Sequence, residues 1–313
     1  MKEKELKDQL SFSPVLEGGL LPEDFTQYDN VIIGGMGGSG MAARLLFFLD
    51  PLFPAWIHDD YGFPEKHEGK TLYVAISYSG NTKETLSFVQ EALDKKYSLA
   101  VIASGGKLLE IAKEHNIPYV LIPSGFQPRN AVIYTLKGLL RVLGKDDLIE
   151  KLEKSNVDFS KACELGQDLG KKFENKIPVI YSSRVNKNLS YLWKIILNET
   201  AKVPAFYNYF PELAHNEMQG IIPKTAGPLV ERIKILILLD PEGDVKLEHH
   251  MEAFQKFMST QGVDLESVNM PEDAVYKLIF TFVVAGAMAY TIAELHGTDP
   301  NDIQMIESFK KLL

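Results

Sequence analysis

Short apolar runs alternate with helical patterns along nearly the whole of this 313-residue chain. In the first half, the apolar runs occupy residues 30–34, 55–58, 71–76, 97–103 and 119–122. Strands that alternate with helices form a mainly parallel sheet with helices on both faces. The pattern starts again after a tract rich in Lys, Asp and Glu at 144–155. The sequence therefore predicts an α/β fold of two domains, 1–152 and 153–313, each a mainly parallel sheet flanked by helices in three layers.

The second half repeats the alternation with longer helices. Its predicted strands are 177–181, 203–206, 233–239 and 263–268. Its predicted helices are 159–173, 188–197, 248–260, 272–295 and 301–313. The apolar run 278–290 inside the longest helix is too short to cross a membrane and has helical spacing, so it is predicted to be a buried helix.

The composition excludes several classes of protein. Hydrophobic residues make up 45% of the chain and charged residues 24%, which is too apolar for a disordered protein. The formal net charge of −9 argues against nucleic acid, whose binders need a clustered basic surface. The charged N-terminus, 1–6, lacks the apolar core of a signal peptide. The single cysteine, Cys163, excludes an internal disulfide, fits a reducing cytoplasm and is expected to be a buried structural thiol.

The loop after the apolar strand 71–76 carries the most specific chemistry. Residues 77–82 read Ser-Tyr-Ser-Gly-Asn-Thr, and a helical pattern follows them. At a junction of this kind, free main-chain N–H groups and the helix dipole favour an anion. The hydroxyls of Ser77, Ser79 and Thr82 add donors for a phosphate. A hydroxyl-rich turn without a ligand would have the same composition, so the loop alone does not settle the matter.

A glycine-rich turn offers a competing interpretation. Gly35, Gly37 and Gly40 match the G-x-G-x-x-G dinucleotide fingerprint, and the acidic pair 59–60 follows about twenty residues later. A nicotinamide site would not require the hydroxyl loop, and Ser39 places one more hydroxyl at the first helix. Two anion-binding loops on neighbouring strands therefore favour a single phosphate group over a dinucleotide.

A second competing interpretation concerns a metal. Residues 248–252 read Glu-His-His-Met-Glu, and His249 and Glu252 are one helical turn apart. No third ligand accompanies them and H-E-x-x-H is absent. The segment is therefore predicted to be a solvated helix face, and no metal site is expected.

Three residues outside the loops have side chains suited to acid–base chemistry. Glu199 ends an apolar helical pattern, His215 lies in the segment 211–217, and Arg129 follows the last strand of the first half. A carboxylate can act as a general base, a histidine can transfer protons near neutral pH, and an arginine can stabilise an oxyanion. From spacing alone, a surface carboxylate, a hydrogen-bonded core histidine and a surface ion pair are the favoured alternatives.

The motifs together resemble a known family. The segments 35–40 (Gly-Met-Gly-Gly-Ser-Gly) and 77–82 resemble the sugar isomerase (SIS) domain. Glu199, the His-Asn-Glu of 215–217 and the end 306–310 (Ile-Glu-Ser-Phe-Lys) narrow the resemblance to the bifunctional phosphoglucose/phosphomannose isomerases. The resemblance covers nearly the whole chain. It implies two SIS-like domains and the isomerisation of glucose 6-phosphate, and of mannose 6-phosphate, to fructose 6-phosphate through a cis-enediol.

The resemblance also implies roles for individual residues. Glu199 would transfer the proton between C2 and C1, Arg129 would stabilise the cis-enediolate, and His215 would open the sugar ring with help from Lys310. The residues that would hold the phosphate are Gly37, Gly38, Ser39, Ser77, Ser79 and Thr82. No metal or organic cofactor is implied. In this family, activity on mannose 6-phosphate depends on a threonine near the C-terminus. Residues 301–304 contain no threonine, so the residue that would support this activity is not identified in the chain.

The resemblance implies a homodimer whose sites are shared between subunits, with a phosphorylated sugar as the small-molecule partner. The single cysteine, the net charge and the short apolar runs predict a cytoplasmic protein that binds neither nucleic acid nor a membrane. The aromatic run 207–210 is expected in the dimer interface, with His215 reaching the neighbouring subunit's site. Two alternatives stay open. One is a non-catalytic sugar-phosphate sensor, although the first 25 residues are too short for the DNA-binding segment such regulators carry. The other is an SIS enzyme such as an amidosugar-phosphate isomerase, which would not predict Glu199, His215 and Lys310.

Overall fold

The chain forms two compact units, Lys2–Ser155 and Asn156–Leu313. The structure, a computed structural model, describes residues 2–19, 27–64, 68–241, 243–310 and 312. Each unit has a mainly parallel sheet flanked by helices, so the predicted α/β fold class is confirmed.

The first unit is built on one sheet. Its strands are β1 (Leu16–Glu17), β2 (Asn30–Gly34), β3 (Ala55–His58), β4 (Thr71–Ser77), β5 (Ser98–Ala103) and β6 (Tyr119–Leu121). Its helices are α1 (Glu3–Ser11), α2 (Gly37–Leu49), α3 (Lys83–Asp94), α4 (Gly106–Glu114), α5 (Val132–Val142) and α6 (Asp146–Lys154). The strand order is β1-β6-β5-β4-β2-β3, and only β1 is antiparallel to its neighbour among the described pairs.

Burial on both faces explains the near-continuous apolar sequences of β2, β4 and β5. The apolar residues of α3 and α4 form one core cluster with side chains of the sheet, whereas α2 packs against α5. The chain leaves β2 toward β3 on one side and leaves β4 toward β5 on the other. The carboxyl ends of β2 and β4 therefore form the topological switch point, where ligands bind in sheets of this kind.

The second unit repeats this arrangement. Its strands are β7 (Ile177–Ser183), β8 (Phe206–Phe210), β9 (Ile233–Leu239) and β10 (Leu265–Asn269), all parallel in the order β10-β9-β7-β8. Its helices are α7 (Phe159–Lys172), α8 (Lys187–Ile196), α9 (Glu217–Gly220), α10 (Pro223–Ala226), α11 (Val245–Thr260), α12 (Ala274–Leu295) and α13 (Gln304–Lys310). The order matches β5-β4-β2-β3, so the two halves share an architecture.

Helix α12 is the central helix of the second unit. It has 22 residues and a mean hydropathy of 1.8, so by length and composition alone it could cross a membrane, and the prediction that its apolar run is too short to do so was wrong. Most of it is buried in the protein. Gly166 and Gly170 of α7 let the two helices meet, since a Cβ on Gly166 would lie 2.5 Å from the carbonyl oxygen of Val284.

The structure differs from the sequence-based predictions at several places. The strand predicted at 203–206 is displaced to β8, because Pro204 cannot donate to a ladder and the aromatic alternation begins at Phe206. Helix α5 was not predicted, and the charged tract 144–155 contains α6, which buries an apolar stripe. Cys163 is half-buried rather than buried.

Candidate active site

The loop between β4 and α3 is closed by its own hydroxyl groups. The Oγ atom of Ser77 lies 3.0 Å from Oγ1 of Thr82 and accepts a hydrogen bond from the N–H of Gly80 at 3.1 Å. Ser77 is buried, whereas Ser79 is exposed and its Oγ accepts a hydrogen bond from the N–H of Asn81 at 3.3 Å. The hydroxyls of the motif thus divide into a pair that shapes the loop, the buried Ser77 and the half-buried Thr82, and an exposed one, Ser79, at its tip.

The neighbouring loop between β5 and α4 holds the hydroxyl loop in place. The Ser104 hydroxyl donates to the carbonyl of Tyr78 at 2.6 Å, and the N–H of Lys107 donates to Oδ1 of Asn81 at 3.1 Å. The N–H of Leu108 donates to the carbonyl of Gly80 at 2.9 Å. These contacts fix the main chain of the hydroxyl loop, so its amides are oriented before any ligand arrives.

Tyr78 joins three segments at this edge of the sheet, and the sequence analysis assigned it no role. Its N–H donates to Oγ of Ser39 at 2.9 Å, which ties the hydroxyl loop to the start of α2. Its hydroxyl donates to the carbonyl of Pro123 and accepts from the N–H of Phe126, both at 2.9 Å. The only sequence signal was its place between two serines of the motif.

Arg129 lies beside the start of α2 and is 1% exposed, which excludes the alternative of a surface ion pair. A Cβ on Gly38 would lie 2.8 Å from the main-chain N of Arg129, so the close approach requires glycine there. Gln9, which the sequence analysis did not single out, donates through Nε2 to the carbonyl of Asn130 at 2.8 Å and accepts from the N–H of Ile133 at 3.2 Å. No motif marks Gln9, because an isolated polar residue in an amphipathic helix carries no signal.

Helix α2 begins inside the glycine-rich turn, at Gly37, rather than at Met41 as its apolar pattern indicated. The first turns of α2 and α3 therefore both direct main-chain N–H groups to the carboxyl edge of the sheet. In the first unit, the structure thus brings together at one edge the predicted phosphate residues, Gly37, Gly38, Ser39, Ser77, Ser79 and Thr82, and Arg129.

The structure leaves little space for a dinucleotide beside the glycine-rich turn. The space beside Gly35, which His58 and Glu84 also line, does not admit even a water molecule. Pockets for drug-sized ligands are typically about 300–1,000 Å³. Asp59, the acidic residue expected to reach a ribose, pairs instead with Arg44 at 2.9 Å.

Glu199 lies in the second unit, on a π-helical turn, Leu197–Ala201, that directly continues α8. Single π-helical turns are frequent at functional sites. Lys202 ends the turn in the left-handed conformation, with φ of 58°. Its ammonium donates to the carbonyl of Glu199 and to that of Asp302. The half-buried Glu199 is thereby held on a turn that is anchored to the segment preceding α13.

His215 and Lys310 are exposed, which excludes the alternative of a core histidine. His215 ends a 3-10 turn, Glu212–His215, and Lys310 pairs with Glu307 at 2.8 Å on α13. These two residues and Glu199 thus lie on three separate segments of the second unit. The aromatic run expected at an interface is the edge strand β8; its Phe210 is fully buried in the core of its own unit, which corrects that expectation for this residue.

The carboxyl end of β9 differs from that of β4, its counterpart in the first unit. Where β4 ends in the hydroxyl loop, β9 is followed by Asp240, which pairs with Lys277 at 2.6 Å. The Nδ2 group of Asn186 donates to the same carboxylate oxygen at 2.9 Å. A buried ion pair thus fills this position in the second unit, in place of a phosphate-type loop.

The structure offers no obvious metal centre: among the described residues, no group of three or more His, Cys, Asp or Glu is placed to hold an ion. In the segment 248–252, His249 and Glu252 are exposed while Met251 is buried. Burial raises the pKa of Glu248, and the charges of Asp240 and Glu252 raise it further.

Comparisons with known proteins agree with the resemblance. A family model described as bacterial phospho-glucose isomerase C-terminal SIS domain matches residues 164–313. A bifunctional phosphoglucose/phosphomannose isomerase of Thermoplasma volcanium is 32% identical over 98% of this chain and 96% of its own length. A D-glucosamine-6-phosphate 4-epimerase of Sulfolobus acidocaldarius is 33% identical over 59% of this chain and 61% of its own.

The fold has relatives among solved structures as well. A hypothetical protein from Thermus thermophilus superposes with a TM-score of 0.75 at 17% identity, over 99% of this chain and 86% of the other. At that identity the likeness concerns the fold. The near full-length match to the Thermoplasma enzyme is the stronger finding, because it exceeds 30% identity over both units. The chain therefore belongs to the bifunctional phosphoglucose/phosphomannose isomerase family.

Proposed function

We propose that this protein is an isomerase that interconverts glucose 6-phosphate, and mannose 6-phosphate, with fructose 6-phosphate through a cis-enediol. The observation that carries the proposal is the pair of loops at the carboxyl ends of β2 and β4, where the Tyr78 N–H binds Ser39 at 2.9 Å. That arrangement suits one phosphate group, and membership of the family supplies the reaction class. The single cysteine of the chain is consistent with a cytoplasmic location for this protein.

The phosphate is proposed to bind at the first unit. The N–H groups that begin α2 and α3 supply donors without buried lysines, and the exposed Ser79 hydroxyl can turn its proton to a ligand. The buried Arg129 adds positive charge at the same edge of the sheet, where it would stabilise an enediolate oxygen.

The acid–base steps are assigned to the second unit. Glu199 would remove the proton from C2 of the open-chain aldose and return it to C1, while the proton on O2 passes to O1, giving the ketose. His215 would assist ring opening, in which a proton leaves the O1 hydroxyl and the ring oxygen gains one as the C1–O5 bond breaks, and Lys310 would help at that oxygen. The π-helical turn and the Lys202 hydrogen bond support the assignment of Glu199 as the base. They fix the backbone that carries its carboxylate, and a base that acts at both C1 and C2 needs a fixed position.

A coupled assay with glucose 6-phosphate, mannose 6-phosphate and fructose 6-phosphate tests the proposal directly. Conversion of the first to fructose 6-phosphate is expected, and a protein that binds these sugars without converting them would instead be a sensor. Glucosamine 6-phosphate belongs in the same assay, because the Sulfolobus relative is named for acting on it. Exclusive turnover of the amino sugar would contradict the proposed substrate.

The homodimer with shared sites is part of the proposal and has its own test. Chains carrying Glu199→Gln and chains carrying His215→Ala, each with little activity alone, are refolded together in equal amounts. If the two residues of one site come from different chains, half the dimers are mixed and one of their two sites is intact, so about a quarter of wild-type activity returns. A fully active monomer in sedimentation would exclude shared sites.

A further inference from the structure

The carboxylate of Glu217 bridges two strands of the second sheet. One of its oxygens, Oε2, accepts a hydrogen bond from the hydroxyl of Tyr181 on β7 at 2.7 Å. The other, Oε1, accepts from Nδ2 of Asn208 on β8. Glu217 begins α9, two residues after His215. Both oxygens of this carboxylate are therefore engaged by the protein itself.

The partner hydroxyl is well suited to this contact. Tyr181 is 1% exposed, and burial together with the Glu217 carboxylate raises its pKa far above neutrality. The hydroxyl therefore stays a donor throughout the physiological range. A hydrogen bond from a buried hydroxyl to a carboxylate is among the stronger ones in proteins, and losing one partner leaves the other unsatisfied.

The segment that carries His215 is fixed at both ends by these contacts. At its start, Phe210 is fully buried at the end of β8, and Leu213 is fully buried in the same core cluster. At its end, the Glu217 carboxylate is attached to the two strands. His215 between them is exposed, so the position of its imidazole depends on the backbone on either side.

We infer that Glu217 is the positioning residue of His215: its carboxylate, held by Tyr181 and Asn208, fixes the place of the imidazole relative to the sheet. This inference rests on the proposed function, in which His215 opens the sugar ring. It assigns no proton transfer to Glu217, because both of its oxygens are engaged. It also explains why the motif is His-Asn-Glu, since Asn216 accepts from the N–H of Glu217 through Oδ1 and so begins the α9 turn.

The test compares Glu217→Ala with Glu212→Ala, a matched control on the same segment. Glu212 is exposed and its carboxylate accepts only from Asn216 among the described hydrogen bonds, at 2.8 Å. Because displacement of a catalytic group by about 1 Å can cost 10²-fold, kcat of Glu217→Ala is expected to fall about 10- to 100-fold with KM changed less than about twofold. The control is expected to stay within about twofold of wild type in both constants.

A second readout isolates the step that His215 is proposed to perform. Catalysed anomerisation of glucose 6-phosphate, followed by NMR, reports ring opening without isomerisation. Glu217→Ala is expected to lower anomerisation in proportion to turnover. The double variant Glu217→Ala/His215→Ala is expected to be no slower than His215→Ala alone, since a residue that acts through another adds nothing once that other is gone. A purely structural role would multiply the two losses and overturn the inference.

Tyr181→Phe covers the case in which Glu217→Ala does not fold, because it removes one hydroxyl and keeps the buried ring. It is expected to show a smaller fall in turnover with the same non-additivity toward His215→Ala. An active wild type with a strongly slowed His215→Ala and a normal Glu217→Ala or Tyr181→Phe would overturn this inference alone. A wild type without isomerase activity would instead overturn the proposed function.

Discussion

Gly80 lies so close to Gly105 that a Cβ on Gly80 would be 1.9 Å from the carbonyl oxygen of Gly105. Gly80 also has a positive φ of 69°. The β5–α4 loop thus packs against the hydroxyl loop with no room for a Cβ at position 80, and the positive φ also favours glycine there. The contact fixes the amides that are proposed to meet the phosphate.

Gly80→Ala is therefore expected to raise KM for glucose 6-phosphate and to lower the thermal unfolding midpoint. Gly262→Ala is the matched control: its φ of 79° is similarly strained, but nothing lies within 4 Å of its Cβ. The control should lose about 1–2 kcal/mol of stability from the left-handed conformation alone and keep its KM. Equal KM values for the two variants would mean that this contact does not shape the phosphate site.

Substitutions of the two serines in the hydroxyl loop are expected to differ in their effects on substrate affinity and on protein stability. Ser79→Ala removes an exposed hydroxyl, and losing one hydrogen bond to a charged phosphate costs about 1.5–3 kcal/mol, so substrate affinity should fall tens-fold at unchanged unfolding midpoint. Ser77→Ala removes the contact with the Thr82 hydroxyl and one of the two acceptors of the Gly80 N–H, which keeps the Ser77 carbonyl at 3.0 Å, and should lower the midpoint as well. Titration calorimetry with a sugar phosphate and thermal unfolding measure the two effects, with Ser87→Ala on α3 as control. Unchanged affinity in Ser79→Ala would place the phosphate elsewhere.

Glu199→Gln is expected to abolish isomerisation and preserve binding. Glutamine keeps the shape of the side chain and removes the base, and an interaction used only in the transition state lowers kcat rather than affinity. The measurement is exchange of the C2 hydrogen of glucose 6-phosphate with solvent deuterium. Glu164→Gln, on α7, should exchange like wild type. Persistent exchange in the Glu199 variant would assign the base to another residue.

Glu248 is expected to make the stability of the fold depend on pH. Burial, the largest effect, and the charges of Asp240 and Glu252 raise its pKa above the ordinary 4.5, against the opposing N–H of Asp240 and charge of Lys277. A carboxyl with a raised native pKa binds more protons in the folded state than in the unfolded state. Its contribution is thus complete below about pH 4.5 and lost as pH rises through the native pKa.

The neutral variant Glu248→Gln should therefore gain stability relative to wild type between about pH 4.5 and neutrality, since it has no charge to bury. Its amide oxygen can still accept the N–H of Asp240, a contact of 3.2 Å in the native protein. Glu164→Gln, exposed on α7 and not among the groups that shift the pKa of Glu248, is the control and should show a smaller change. Chemical unfolding across this pH range measures the free energy of unfolding of both proteins. A difference between variant and wild type that stays constant with pH would contradict the prediction.

Local sequence pattern was enough to predict the fold class and to single out the hydroxyl loop. Apolar runs such as 71–76 alternate with helical patterns, which indicates the fold class. The hydroxyl loop can be interpreted from the strand directly before it and the helix directly after it. The acid–base residues followed from resemblance rather than spacing, since Glu199 and His215 have no mutual periodicity. Where local pattern misled, as at 203–206, a proline and an aromatic alternation moved the strand to β8.

Long-range packing, in contrast, selects the polar side chains that organise the site. Tyr78, Gln9 and Glu217 each join segments that are distant along the chain, and Gln9 contacts the Ile133 N–H across an interval of 124 residues. Such contacts depend on where the sheet brings its loops, because a buried polar group takes whatever partner the fold places beside it. The pattern of residues sets strands and helices through short-range preference, and the packing of those elements alone selects the partners of their polar side chains.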